Sequence, residues 1–151
     1  MGRAELGAFR VDSDQSDVIP AGQTWIHVGP GRTGASGFTG EVDAFQVTAG
    51  GDVAGFTPLS RTVSGDRAGY GYGSSSGFLY IFGGRGGPNR GGISAELDGP
   101  TTLRPGAWNS LGIDMSEARV FMGSAQESAF YYIAGGSDGT NALSSVDQTV
   151  Q

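Results

Sequence analysis

The sequence contains no cysteine, no lysine and a single histidine. Without cysteine, disulfides, thiolate nucleophiles and thiolate zinc sites are all excluded, and the redox compartment stays open. Without lysine, nine arginines carry all the basic charge against fifteen acidic residues, for a net charge of -6 and a pI of about 4.5. Such a chain lacks the long-range attraction that nucleic acids and anionic membranes demand of a binding protein. No run approaches the roughly 20 apolar residues of a membrane span. The opening "MGRAELGAFRV" has no apolar signal-peptide stretch, and no window holds a helical period.

What the chain does have is glycine, 29 of its 151 residues, beside 37% hydrophobic and 10% aromatic residues. That balance buries a core if glycine serves turns, and one domain is the expectation. Arginine-only usage with abundant glycine is the compositional habit of a high-GC bacterial genome.

Two segments nearly repeat each other. "FLYIFGGRGG" (78–87) and "FYYIAGGSDG" (130–139) place Gly83 and Gly135 52 residues apart. Arg67 and Arg119 each precede their Gly-Gly pair by 16 residues, so two landmarks agree on one period. Strand-like runs fill each period: "AGYGY", "FLYIF", "ISAEL" and "AWNSL" in the middle unit, with "VDAFQV" (42–47) and "LSSVDQTV" (143–150) in the third-strand place of the flanking units. Between them, "GSSSG", "GRGGPNRGG" and "DGPTTLRPG" are turn or loop chemistry.

An apolar strand, a double glycine and a later Trp108, recurring at about 50 residues, resemble kelch repeats. The resemblance covers most of 40–151 and, more loosely, 1–39. It departs from the pattern at Phe56, which stands where the first full unit would carry its tryptophan. It implies an all-β fold, a kelch-type β-propeller segment of four-stranded antiparallel blades. Residues 1–151 then form one segment: 1–24 as strands of a preceding blade, 25–60 as an incomplete first blade, 61–116 as the second, and 117–151 as a third lacking its last strand. In this scheme "LGAFRV" (6–11) is a third strand and Gly29 takes the first-glycine place, which leaves the first blade 18 residues short. Either an inner strand is lost or residues are missing between Ile19 and Trp25, and the second alternative is the expectation because a lost inner strand exposes an edge. About three blades cannot close a ring that takes four to eight, so further blades, from the parent protein or other chains, are the implied partners.

Chemically active groups are sparse. His27 sits inside the strand-like "TWIHV" with no second metal ligand nearby in sequence, which favours a structural role. Copper oxidases on kelch-type propellers need a Tyr-Cys pair and several histidines, which this sequence lacks. Asp12, Asp14 and Asp17 in "DSDQSD" have the spacing of a weak Ca²⁺ site, without the glycine and closing glutamate of an EF-hand; no other metal or cofactor is expected. Ser137-Asp138-Gly139-Thr140 looks like the Asp-box of sialidases but lacks its tryptophan. "GGRGGPNRGG" cannot be a phosphate loop, since a strand follows it instead of a helix.

By position, the resemblance nominates a rim for a ligand or partner: Arg85, Asn89 and Arg90 in one blade, Ser137, Asp138 and Asn141 in the next, and Arg67 and Arg119 at the strand starts. Arginine suits bidentate capture of carboxylate or phosphate. The alternative for Arg67 and Arg119 is that they satisfy carbonyls or acidic side chains between blades. The expected function is non-enzymatic protein-protein binding or structural assembly, at a bacterial surface or in a secreted or multi-subunit structure. The second reading is a carbohydrate-binding or carbohydrate-processing propeller using Trp25, Trp108 and the tyrosine-rich strands.

Overall fold

The computed structural model describes residues 2–12, 21–62, 66–75, 78–86, 96–102 and 109–150. Every regular element among them is a strand: β1 (Ala8–Asp12), β2 (Thr24–Val28), β3 (Gly31–Arg32), β4 (Phe38–Thr39), β5 (Glu41–Val47), β6 (Val53–Thr62), β7 (Arg67–Ala68), β8 (Gly71–Ser75), β9 (Phe78–Phe82), β10 (Arg85–Gly86), β11 (Glu96–Thr102), β12 (Asn109–Asp114), β13 (Gly123–Glu127), β14 (Phe130–Ala134) and β15 (Val146–Val150). Antiparallel pairing gathers them into three larger sheets, ordered β1-β2-β5-β6, β8-β9-β11-β12 and β13-β14-β15, with small pairs β3-β4 and β7-β10. The protein is all-β, as its period-2 patterning and turn-rich composition require.

The middle strand β9 explains its own sequence. Leu79 and Ile81 point to the first sheet, where they join Phe9, Val42 and Tyr70 in one buried cluster. Tyr80 and Phe82 point the other way, into a second cluster with Met115, Met122, Tyr131 and Ile133. A strand covered on both faces needs apolar side chains at both parities, hence the unbroken "FLYIF". Each fully buried aliphatic side chain here contributes about 1.5–3 kcal/mol.

Two boundaries differ from the sequence expectation. β11 runs on through Gly99 and Pro100, which lie in "DGPTTLRPG". Its register jumps from Asp98↔Ile81 to Thr101↔Leu79, and a bulge of this kind is where a strand tolerates glycine and proline. β10 makes Arg85 and Gly86 a short pair with β7, and residues 87–95 lie outside the described ones.

The N-terminal segment needs a larger correction. β1 pairs directly with β2, Ala8↔Val28 through Asp12↔Thr24, so it belongs to the first sheet and not to a preceding unit. The first sheet therefore has four strands, and the chain runs continuously through Gln23 and Thr24. With β1 as the first strand of this sheet and not a third strand, the 18-residue shortfall no longer arises; residues 13–20, between β1 and β2, lie outside the described ones. The third sheet has three strands.

With β1 in place the openings of the three units correspond in sequence and pairing. Arg3-Ala4, Arg67-Ala68 and Arg119-Val120 open them, and Ala4↔Arg32, Ala68↔Arg85 and Val120↔Ser137 are equivalent pairings. Two positions later stand Glu5, Gly69 and Phe121, all left-handed with φ of 55°, 64° and 56°. Such a φ costs a non-glycine residue about 1 kcal/mol or more, so the same backbone turn is imposed three times irrespective of side chain.

Candidate functional site

The three unit openings meet. Gly69 N–H donates to the Glu5 carbonyl at 3.0 Å, and Phe121 N–H donates to the Gly69 carbonyl at 2.7 Å. One backbone ladder thus crosses all three units. Beside it, the Glu5 carboxylate accepts both Arg85 Nη2 contacts, at 2.8 and 2.7 Å, and one from Arg32 Nη1 at 3.2 Å. The Arg85 guanidinium lies over the Phe121 ring at 5.3 Å and the Phe38 ring at 6.0 Å from their centroids. Burial raises the Glu5 carboxyl, but hydrogen bonds and charge from Arg85 and then Arg32 outweigh it and hold the group below the usual carboxylate range. Two cations on one carboxylate leave this end locally positive, with Phe121 exposed beside Arg85. An acidic or aromatic group is the chemistry such a surface receives.

Arg67 and Arg119 lie elsewhere. Both are fully buried, and they donate to the Gly83 carbonyl at 3.2 Å and the Gly135 carbonyl at 3.0 Å. Arg119 also reaches the Ser145 carbonyl at 3.1 Å and Asp147 Oδ2 at 2.7 Å. Arg3 is the third member of this series: nearly buried, it pairs with Asp43 at 2.7 Å and Glu41 at 3.0 Å. These contacts satisfy carbonyls and acids inside one unit each, whereas the alternative expected them between blades.

Ser137 lies in a bridge to Val120. Asp138 caps a tight turn, accepting from Thr140 N–H at 2.7 Å and Asn141 N–H at 2.6 Å; the Asn141 N–H, then the Thr140 N–H, hold its carboxyl below the usual range. Ser137, half-buried, and the exposed Asp138 and Asn141 thus form one turn, separate from the Glu5 cluster in the contacts named here. Asn89, Arg90 and Trp108 lie outside the described residues, as do Asp14 and Asp17. Asp12 itself is held by Thr24 Oγ1 at 2.5 Å and Arg10 at 3.0 Å, and no group of three metal-binding side chains occurs among the described residues. His27 is buried, its Nδ1 without a hydrogen-bond partner among the described residues, and burial lowers its pKa to about 4. Trp25 packs against the first buried cluster and donates to Gln23 Oε1 at 3.1 Å.

Sequence reasoning missed Glu5, Arg32, Phe38, Phe121 and Arg3. For Arg3 a signal existed in the dipeptide Arg3-Ala4, which repeats as Arg67-Ala68. Glu5 carries no local signal, being 80 residues from Arg85.

No family model and no curated protein sequence matches the chain. The solved structure of YjhT is similar in fold, with a TM-score of 0.68 at 20% identity. The match covers 99% of this chain but 46% of YjhT, so the chain spans less than half the length of that protein.

Proposed function

We propose that the chain is three consecutive blades of a kelch-type propeller, and that it works by binding and assembly rather than by catalysis. The observation that carries the proposal is the contrast between middle and ends. Faces buried where the units meet recur on the outer sides of the first and third sheets, and there they are open. Three blades do not close a ring, and a β-rich structure of about twice the length accommodates the whole chain. Further blades are therefore the partners, and the positive end bearing Arg85, Arg32 and Phe121 is the surface the assembled ring presents.

The carbohydrate reading is second. Its best-placed described aromatic, Trp25, is occupied by packing against the first cluster. Titration with neutral and acidic sugars, followed by tryptophan emission, is expected to give no saturable change, while hydrodynamic mass rises with protein concentration. A saturable sugar response without association reverses the order of the two readings.

A further inference from the structure

Resting on the binding reading above, we infer that Arg85 is the contact residue of the positive end, its Nη1 receiving a single carboxylate from an aspartate or glutamate side chain of a partner protein. Glu5 and Arg85 face each other across the joint between the first and second units, at 2.7 and 2.8 Å. At the joint between the second and third units, Gly69 and Ser137 stand in their places. The backbone bond there is no longer for it, 2.7 Å from Phe121 N–H against 3.0 Å from Gly69 N–H. Units therefore stack without a charged pair. Glu5 moreover adopts a φ of 55°, a conformation that favours glycine, and glycine stands at the same place in the second unit. A strained acid where glycine suffices serves the guanidinium it holds and not the joint.

The donors of the two arginines are unequally used. Arg32 has committed all three nitrogens: Nη1 to Glu5 at 3.2 Å, Nε to the Gly34 carbonyl at 2.6 Å and Nη2 to the Ala35 carbonyl. Arg85 has committed one, Nη2, to the two Glu5 oxygens. Its Nε has no partner among the described residues but is buried, so it is closed to an incoming group. Its Nη1 hydrogen-bonds to no described residue and is not buried. With the side chain 35% exposed, Nη1 is the donor a ligand reaches. The guanidinium also contacts the Phe38 ring of the first unit and the Phe121 ring of the third, so groups from all three units fix it. Aromatic neighbours exclude water and strengthen an ion pair formed beside them.

Charge and donor number select the ligand. Two guanidiniums on one carboxylate leave one positive charge, in a chain of net charge -6. A phosphate dianion, with three acceptor oxygens, draws on several donors, and here one nitrogen is open. A singly charged carboxylate matches both the charge and the donor. On a surface that binds protein, that carboxylate is an acidic side chain of the partner.

The test uses the whole 151-residue chain and a blocked glycine-serine peptide carrying one glutamate, with its glutamine counterpart for comparison. The glutamate peptide is expected to shift the Arg85 side-chain nitrogen resonances saturably. The glutamine peptide is expected to bind about tenfold or more weakly, since it lacks the charged hydrogen-bond partner. Arg85→Ser introduces the residue the third unit carries at this place, and a loss of about tenfold or more is expected from it as well. Arg10→Gln removes the same charge from a side chain that pairs with Asp12 instead, and it is expected to change binding less than about twofold. Equal binding of the two peptides, a loss in Arg10→Gln as large as in Arg85→Ser, or no saturable shift in the wild type overturns the inference; the two peptides on the wild type decide it if Arg85→Ser fails to fold. Acetate binding as tightly as the glutamate peptide overturns the protein partner in favour of a free small acid. No peptide response in a chain whose Gly69 and Phe121 amides resist exchange removes the Arg85 contact and keeps the propeller reading; free exchange at those amides removes the reading itself.

Discussion

Acid is expected to destabilise the fold through His27 before any carboxylate is reached. The imidazole is 3% exposed on the face of β2 that meets the second sheet, and its Nδ1 has no hydrogen-bond partner among the described residues. Desolvation disfavours its charged form and lowers its pKa from 6.5 to about 4. The unfolded chain takes up a proton near pH 6.5 while the folded one refuses it until about pH 4, so between those values the unfolded state binds more protons and stability falls as pH falls. At about 1.4 kcal/mol per unit of pKa difference, the full loss is about 3 kcal/mol, a large share of the 5–15 kcal/mol typical of a domain. Above pH 6.5 the contribution is complete, and below about 4 this decline stops. The carboxyls of Glu5 and Asp12, held low in the fold, add their own losses as pH falls through the ordinary carboxylate range and below it. Urea unfolding at half-unit steps from pH 8 to 4 measures the slope, and His27→Leu serves as the control because it keeps an apolar group of similar size and nothing that titrates. The wild type is expected to slope across this window and the variant to be nearly flat above pH 4.5. Equal slopes in the two proteins would refute the assignment.

Other substitutions probe the joints between units. Arg119→Leu leaves Asp147 and two carbonyls without their donor and is expected to cost about 3–5 kcal/mol in urea unfolding. Tyr70→Phe removes a buried hydroxyl that both donates and accepts, for an expected loss of about 1–3 kcal/mol. Gly136→Ala and Gly51→Ala separate strain from crowding, because both positions have φ near +90° but only at Gly136 would a Cβ meet a backbone oxygen, that of Val120, at 2.5 Å. The alanine at 51 is expected to cost about 1 kcal/mol, the one at 136 at least twice as much, and equal thermal shifts would contradict this.

The strands were legible wherever both faces of a sheet are covered. "FLYIF" and "FYYIA" announce themselves by apolar residues at both parities, and the glycine pairs after them mark real left-handed turns at Gly83, Gly84, Gly135 and Gly136. The first unit was misread because its landmarks are disguised. Eleven residues separate β1 from β2 where two separate β8 from β9, which breaks the Arg-to-Gly spacing, and Pro30-Gly31 stands in place of Gly-Gly. Gly29, which looked like the first glycine, is conformationally ordinary and small for another reason, the approach of Tyr70. Charge partners were the least legible. Arg85 and Glu5 are joined by the stacking of units, and an acid 80 residues away leaves no mark in the local pattern. The burial of Arg67 and Arg119 was equally hidden, because an arginine at a strand start reads the same whether it faces solvent or a ring of carbonyls.

The central claim is that the three units stack as repeats along one backbone ladder, and the Gly69 and Phe121 amides report on it directly. Gly69 and Phe121 amides already donate along the ladder, so their hydrogen exchange is expected to be slow at every protein concentration. Fast exchange at both amides while those of β9 stay protected would contradict the account.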